Sequence, residues 1–274
     1  MSDGNEQWPD QRRWVSAISR VEPDEILLRG YPHTSVIRNL SFAESFFLMV
    51  RGELPTPQQR RMLDALLCAV PDYGLFKPGT VAARIAISGN PSVSAGLAVA
   101  LLSAGQHTLD PFDAGNFIYA IHAQYAESGK SMEDFAKEIV EEKRKKKERI
   151  PGFGHPIFEY VDPRAVALRD VAEKNDLLGD KLALYETIHR AFTRLPGRKT
   201  VPINDIGMSA ALLAGMGFTP AEMTGVLLTS TIPGIVAHLS EELQQNVRIR
   251  VVDESLQRYS GKERRELPVR GDGR

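Results

Sequence analysis

The chain has 274 residues, enough for one large domain or two modest ones, and 42% of them are hydrophobic, which is sufficient for a packed core. Acid and base nearly cancel at a net charge of -1, so neither a nucleic-acid coat nor a polybasic membrane binder is expected. Cys68 is the only cysteine, which excludes an intrachain disulfide and any multi-thiolate metal site.

In chain order, the polar start Met1 to Glu6 has no apolar segment behind it, so no signal peptide is expected. No run approaches the roughly 20 apolar residues that span a bilayer, and a cytoplasmic protein is expected. Helical periodicity predicts helices near 41–51, 57–69, 80–87, 93–104, 111–127, 132–148, 163–175, 180–194, 204–215 and 220–245. Ser41 with Glu44 forms a capping-box pattern, and Ser131 with Asp134 a weaker one. Thr56-Pro57, Asp110-Pro111, Asp162-Pro163 and Thr219-Pro220 each read as an N-cap followed by proline, where the missing N–H costs nothing. Gly52 and Gly129 mark helix stops. Cys68 sits in the apolar run Ala65 to Val70 and is expected to be a buried thiol. The uncharged, small-residue stretch Val93 to Ala104 predicts either a core helix buried on all sides or a subunit interface. Pro233 is expected to kink or split the last helix, and only Val247 to Val252 alternates like a strand. The tail after Tyr259 is polar and free to wrap a partner. The fold class expected is all-α.

The chemistry concentrates in Arg149 to Arg164, where Ile150-Pro151-Gly152-Phe153-Gly154-His155 is followed by Asp162-Pro163-Arg164. Glycines let a backbone approach a ligand closely, and a loop histidine exchanges a proton near neutral pH. An arginine can fork a carboxylate. The basic run Lys143 to Lys147 ends just before this loop. No histidine pair has metal-ligand spacing, and no Gly-rich phosphate loop is present, so neither a metal nor ATP chemistry is expected.

This segment resembles the citrate synthase family, whose members carry Gly-aromatic-Gly-His and then Asp-Pro-Arg at the same spacing. Further parts of the chain look like the family: Arg29 to Pro32, Leu40 to Glu44, Gly52 to Thr56, Pro202 to Gly207, Gly234 to His238 and Tyr259 to Gly261. The short length and the stretch from Pro78 to Gly105 look closer to citryl-CoA lyase and the lyase domain of ATP-citrate lyase. The resemblance implies a citrate synthase-like fold with a large helical domain (1–108 and 215–274) and a small CoA-binding domain (109–214). It implies an enzyme that makes or breaks a carbon–carbon bond α to a CoA thioester. Its substrates would be an acyl-CoA and a keto acid, with no permanently bound cofactor, and its assembly a homodimer. By resemblance the catalytic residues are His155, Asp205 and His107, and Arg164 binds a substrate carboxylate. CoA falls to Ile150, Pro151, Gly152, Phe153 and Gly154, with Lys146 and Lys147 near its phosphates.

Three departures accompany the resemblance. An ungapped match puts Thr108 at the first catalytic histidine, with His107 one residue early. Asp205 is likewise one residue early, and Thr231 stands where a second substrate arginine is expected. A one-residue shift on a helix turns a side chain by about 100°. The alternatives are a CoA-binding or regulatory homologue without activity, or a divergent citrate or methylcitrate synthase.

Overall fold

The computed structural model describes residues 14–195 and 201–267, so Met1 to Glu6 lie outside the described residues. A small antiparallel sheet comes first: β1 (Ser19–Val21), β2 (Ile26–Leu28) and β3 (Tyr31–Pro32), with Leu28 opposite Ser19 and Tyr31. Eleven α-helices follow among the described residues. They are α1 (His33–Asn39), α2 (Phe42–Arg51), α3 (Pro57–Leu67), α4 (Pro78–Gly89), α5 (Val93–Leu102) and α6 (Phe112–Ser128). The rest are α7 (Met132–Lys146), α8 (Pro163–Glu173), α9 (Asp180–Thr193), α10 (Asp205–Gly215) and α11 (Pro220–Gln245). The fold class is therefore all-α, as the periodicity predicts. The sheet and α1 were not anticipated, because each segment is too short to show a period.

Local chemistry fixes most helix starts. Ser41, Thr56 and Thr219 each accept the N–H three residues on, while Glu44, Gln59 and Glu222 reach back to the cap backbone. Asp162 caps α8 through the Arg164 N–H. The Asp110 side chain instead accepts the Phe112 N–H, so α6 begins one residue later than its Asp-Pro pattern suggests. Gly52 and Gly129 end α2 and α6 with φ of 83° and 63°, the left-handed conformation that favours glycine.

Two clusters of buried side chains form. The larger joins Phe47, Met62 and Leu66 to α6–α10 and the first half of α11 around Tyr185 and Phe218. The smaller is Ala83, Ile87, Ala100, Ile235 and Leu239, between α4, α5 and the second half of α11.

Four expectations need correction. Val247 to Val252 form no strand; the Ile249 and Arg250 N–H groups bond the Ser88 carbonyl and hydroxyl, so the segment meets the C-terminal end of α4 without a ladder. Helix α11 is not split at Pro233. By length and composition α11 is also long and apolar enough to cross a membrane, the one such helix among the described residues. Thr, Ser, Gly and Pro interrupt its apolar residues, so no continuous run shows in the sequence. In the fold it packs against α3, α4, α5 and α6, as a core helix does. Cys68 is exposed at the C-cap of α3, beside Arg61, Asp64 and Val171 in a groove between α3 and α8.

Helix α5 is not buried on all sides either. Gly96 and Ala100 face α4 and α11, and a Cβ at Gly96 would lie 2.5 Å from Leu239. Its other face is bare, with Leu102 84% exposed.

Candidate active site

The loop before α8 is held from both sides. The Gly154 N–H donates to the Pro202 carbonyl and the Asn204 N–H to the Gly152 carbonyl, at 2.8 and 2.9 Å. The Asn204 side chain donates to the Gly154 carbonyl while its oxygen caps α10 through the Gly207 N–H. Gly152, at φ 82°, lies against Gly207: a Cβ there would meet the Gly207 Cα at 2.5 Å and the Tyr185 hydroxyl at 2.2 Å. Only glycine fits. Tyr185 donates to the Pro151 carbonyl, and Phe153 packs among Tyr185, His189 and Phe192 with centroids 5.0–5.5 Å away. Ile150 and Phe153 are thus anchors in the core; Pro151 and Gly152 face an open cleft.

This anchoring aims His155 and Arg164. The His155 Nδ1 accepts the backbone N–H groups of Ile157 and Phe158, each at 3.1 Å. That pattern assigns the proton of neutral His155 to Nε2. The imidazole stacks on Phe158 at 4.7 Å and meets the edge of Tyr73 at 5.8 Å. Burial lowers the affinity of His155 for a second proton, the Arg164 charge adds to this, and Asp162 opposes it. The ring is therefore neutral at pH 7.

Arg164 is the hub. Its guanidinium bonds both oxygens of Asp162 at 3.0 and 2.8 Å and Asp205 Oδ2 at 2.8 Å, and it lies over the rings of Tyr73 and Phe158. Its Nη2 is also 3.1 Å from His155 Nε2. Two donors so close, with no acceptor between them, are arranged for one shared oxygen. Asp162 is fully buried and also accepts the Asp205 N–H at 3.0 Å, so one carboxylate ties α8 to α10. Burial alone would raise Asp162; the Arg164 bonds outweigh it and hold its carboxyl below the ordinary range. At Asp205 burial wins: it lifts the carboxyl to about 6 against the pull of Arg164, and Asp162 adds to the rise.

His107 occupies the tip of a tight turn closed by reciprocal backbone bonds between Gly105 and Thr108. It is exposed, and its one-residue displacement falls on a turn, where no helical rotation applies. Asp205 opens α10, with its carboxylate toward Arg164.

The structure brings His107, His155, Arg164 and Asp205 into one inner cleft of about 330 Å³, shared with Tyr73, Lys77, Pro78 and Asn204. The first turns of α4, α8 and α10 all reach this cleft, through Pro78, Arg164 and Asp205. Helix N-termini carry partial positive charge, so the cleft favours an anion. His107, Thr108, Leu109, Asn204 and Ile206 also line a larger outer cleft of about 680 Å³, together with Pro151, Gly152, Lys143 and Arg149. Lys146 and Lys147 lie outside that lining. Lys146 pairs with Glu142 on α7, and Lys147 is the left-handed C-cap of α7. His155, Asp162 and Asp205 offer ligand-type atoms within 4.8 Å of one another, yet the Arg164 guanidinium already bonds both carboxylates and stands 3.1 Å from His155 Nε2. The cation of this cluster is an arginine.

Residues 14–251 match the C-terminal domain of citrate synthase. The chain belongs to the citrate synthase family. Among solved structures it resembles citryl-CoA lyase from Hydrogenobacter thermophilus, at a TM-score of 0.84 and 34% identity, over 94% of this chain and 98% of that one. It also shares its fold with ATP citrate lyase of Methanosaeta concilii, at a TM-score of 0.77 and 19% identity, over 94% of this chain and 43% of that one. Citrate synthase 2 of Bacillus subtilis is 25% identical over 238 residues, covering 86% of this chain. The chain spans 60% of the length of that synthase. Within this family member, Thr231 is 1% exposed inside α11, its hydroxyl has no partner among the described residues, and it does not line the inner cleft. Tyr73, Lys77, Phe158 and Asp162 are parts of the site that sequence reasoning did not assign. Asp162 was visible only as a helix cap, and Tyr73 and Lys77 carry no local signal.

Proposed function

We propose that the protein makes or breaks a carbon–carbon bond α to a CoA thioester, with cleavage of citryl-CoA into acetyl-CoA and oxaloacetate as its reaction. The observation that carries this reading is the convergence of His107, His155, Arg164 and Asp205 on one cleft that opens into the Pro151-Gly152 cleft. The extent of the likeness to citryl-CoA lyase supports the cleavage assignment.

In the condensing direction, Asp205 removes the α-proton of acetyl-CoA while His107 donates a hydrogen bond to the thioester oxygen, giving a hydrogen-bonded enolate. The α-carbon attacks the ketone of oxaloacetate. His155 Nε2–H and Arg164 Nη2 share the ketone oxygen as it gains charge, and His155 supplies its proton. Cleavage is the reverse: the citryl hydroxyl gives its proton back to His155, the carbon–carbon bond breaks as the ketone forms, its electron pair becomes the enolate held by His107, and protonated Asp205 returns the proton to carbon. A carboxyl at about 6 serves both directions near neutrality.

CoA occupies the outer cleft, with adenine against the backbone of the 150–154 loop and the phosphates near Lys143 and Arg149, while the Lys146-Lys147 run stands beyond that lining. The enzyme needs no permanently bound cofactor. The residues 109–214 act as the small domain whose approach to the rest excludes water from the enolate. The bare face of α5 and the exposed tail support a homodimer, and a cytoplasmic location fits the proposed metabolites.

The test is incubation with citryl-CoA and detection of acetyl-CoA and oxaloacetate, beside exchange of acetyl-CoA α-protons in deuterated water. Absence of both, with CoA still bound, would leave a CoA-binding homologue.

A further inference from the structure

Arg164 spends three of its five N–H groups on Asp162 and Asp205, which leaves one on each Nη for a substrate, and Thr231 leaves no second arginine in the cleft. A second cation is nevertheless present. Lys77 lines the inner cleft and is 9% exposed. Its ammonium makes no hydrogen bond or ion pair among the described residues. The acids whose charge it feels are Asp72 and Asp205, and both are engaged elsewhere. Asp72 accepts from the Gly74 N–H and contacts His238 at 3.1 Å, and Asp205 is held by Arg164.

The fold does not need this charge. Lys77 caps α4 through its backbone carbonyl, which accepts the Thr80 and Val81 N–H groups at 3.1 and 3.3 Å, and no side-chain cap bond forms. Burial pushes the ammonium below the usual lysine range, with Asp72 and Asp205 pulling it back. The Lys77 nitrogen is not among the fully buried polar atoms that lack a partner, so a largely buried side chain presents an unpaired cation to the cleft, where an anionic ligand can meet it.

We propose that Lys77 is the second carboxylate anchor of the inner cleft, which makes the site selective for a keto acid with two carboxylates over one with a single carboxylate. This rests on the catalytic reading above and adds a specificity determinant to it. Arg164 takes one carboxylate group of the substrate; the three N–H donors of Lys77, at the first turn of α4, take the other.

The experiment is calorimetric titration of the full chain and of Lys77→Met with oxaloacetate and with pyruvate. The wild type should bind oxaloacetate more tightly than pyruvate. In Lys77→Met the oxaloacetate affinity should fall about 10- to 100-fold, the range for a lost charge-assisted hydrogen bond, while pyruvate changes less than about twofold. Lys77→Arg should restore part of the preference. The unliganded melting temperature of Lys77→Met should equal or exceed that of the wild type, which shows that the variant folds. A wild type without preference, an unchanged oxaloacetate affinity, or equal losses for both acids would overturn the proposal. Turnover separates the two readings. If the wild type cleaves citryl-CoA and Lys77→Met keeps the preference, the anchor alone falls. If the wild type cleaves nothing but shows a preference that Lys77→Met abolishes, the catalytic reading alone falls.

Discussion

One wall of the inner cleft, built from residues 154–164 and the start of α10, has its charges paired: Arg164 with Asp162 and Asp205, and His155 with two backbone amides. The facing elements, the turn Tyr73 to Pro78 and the turn at His107, contribute an ammonium and an exposed imidazole that bond to nothing described. The paired wall is rigid and sets geometry. In the proposed reaction the unpaired groups are the donors that a bound substrate would satisfy. Mutations should therefore separate: those in the paired wall change stability and activity together, and those in the turns change activity alone.

Asp205→Asn should have the largest effect on rate. Exchange of acetyl-CoA α-protons should fall by about 10² to 10⁴, the usual worth of a general base. The same change should stabilise the fold. The carboxyl titrates at about 6 in the folded chain and at 3.8 ordinarily, so the folded state holds that proton more tightly. Its stabilising contribution is complete below pH 4 and is lost as the pH rises through 6. Asn escapes this loss, so thermal melts should favour Asp205→Asn by up to about 3 kcal/mol at pH 8 and by nothing near pH 4. In the wild type, kcat/KM for exchange should rise through pH 6. A variant less stable than wild type at pH 8 would mean that the Arg164 pair outweighs burial.

Asp162→Ala should be the most damaging to stability, by about 3–5 kcal/mol in denaturant unfolding, because it strips a buried partner from Arg164, an acceptor from the Asp205 N–H and the cap from α8. His107→Ala should lower turnover of citryl-CoA by about 10² to 10³, as expected for one lost donor to the developing oxyanion, with unfolding midpoints unchanged. A drop in stability there would erase the distinction between the walls. Tyr73→Leu should have the smallest effect. Loss of its ring over Arg164, worth about 0.5–1 kcal/mol, should raise KM two- to fivefold with kcat nearly unchanged.

The sequence by itself determined the helices, their caps and the segment that aims His155 and Arg164. Thr56, Asp162 and Thr219 act on amides two or three residues away, and Gly52 and Gly129 stop helices by their own conformation. Such effects are complete within one helical turn, so they are legible without a fold. Only the tertiary structure decided that Asp205 is buried enough to titrate near 6, that Asp162 serves α10 as well as its own helix, and that Lys77 stands beside residues more than 80 positions away. It also decided that Cys68 and one face of α5 are exposed, although both lie in apolar sequence. Burial and electric field depend on what packs against a residue, and those neighbours arrive from distant parts of the chain.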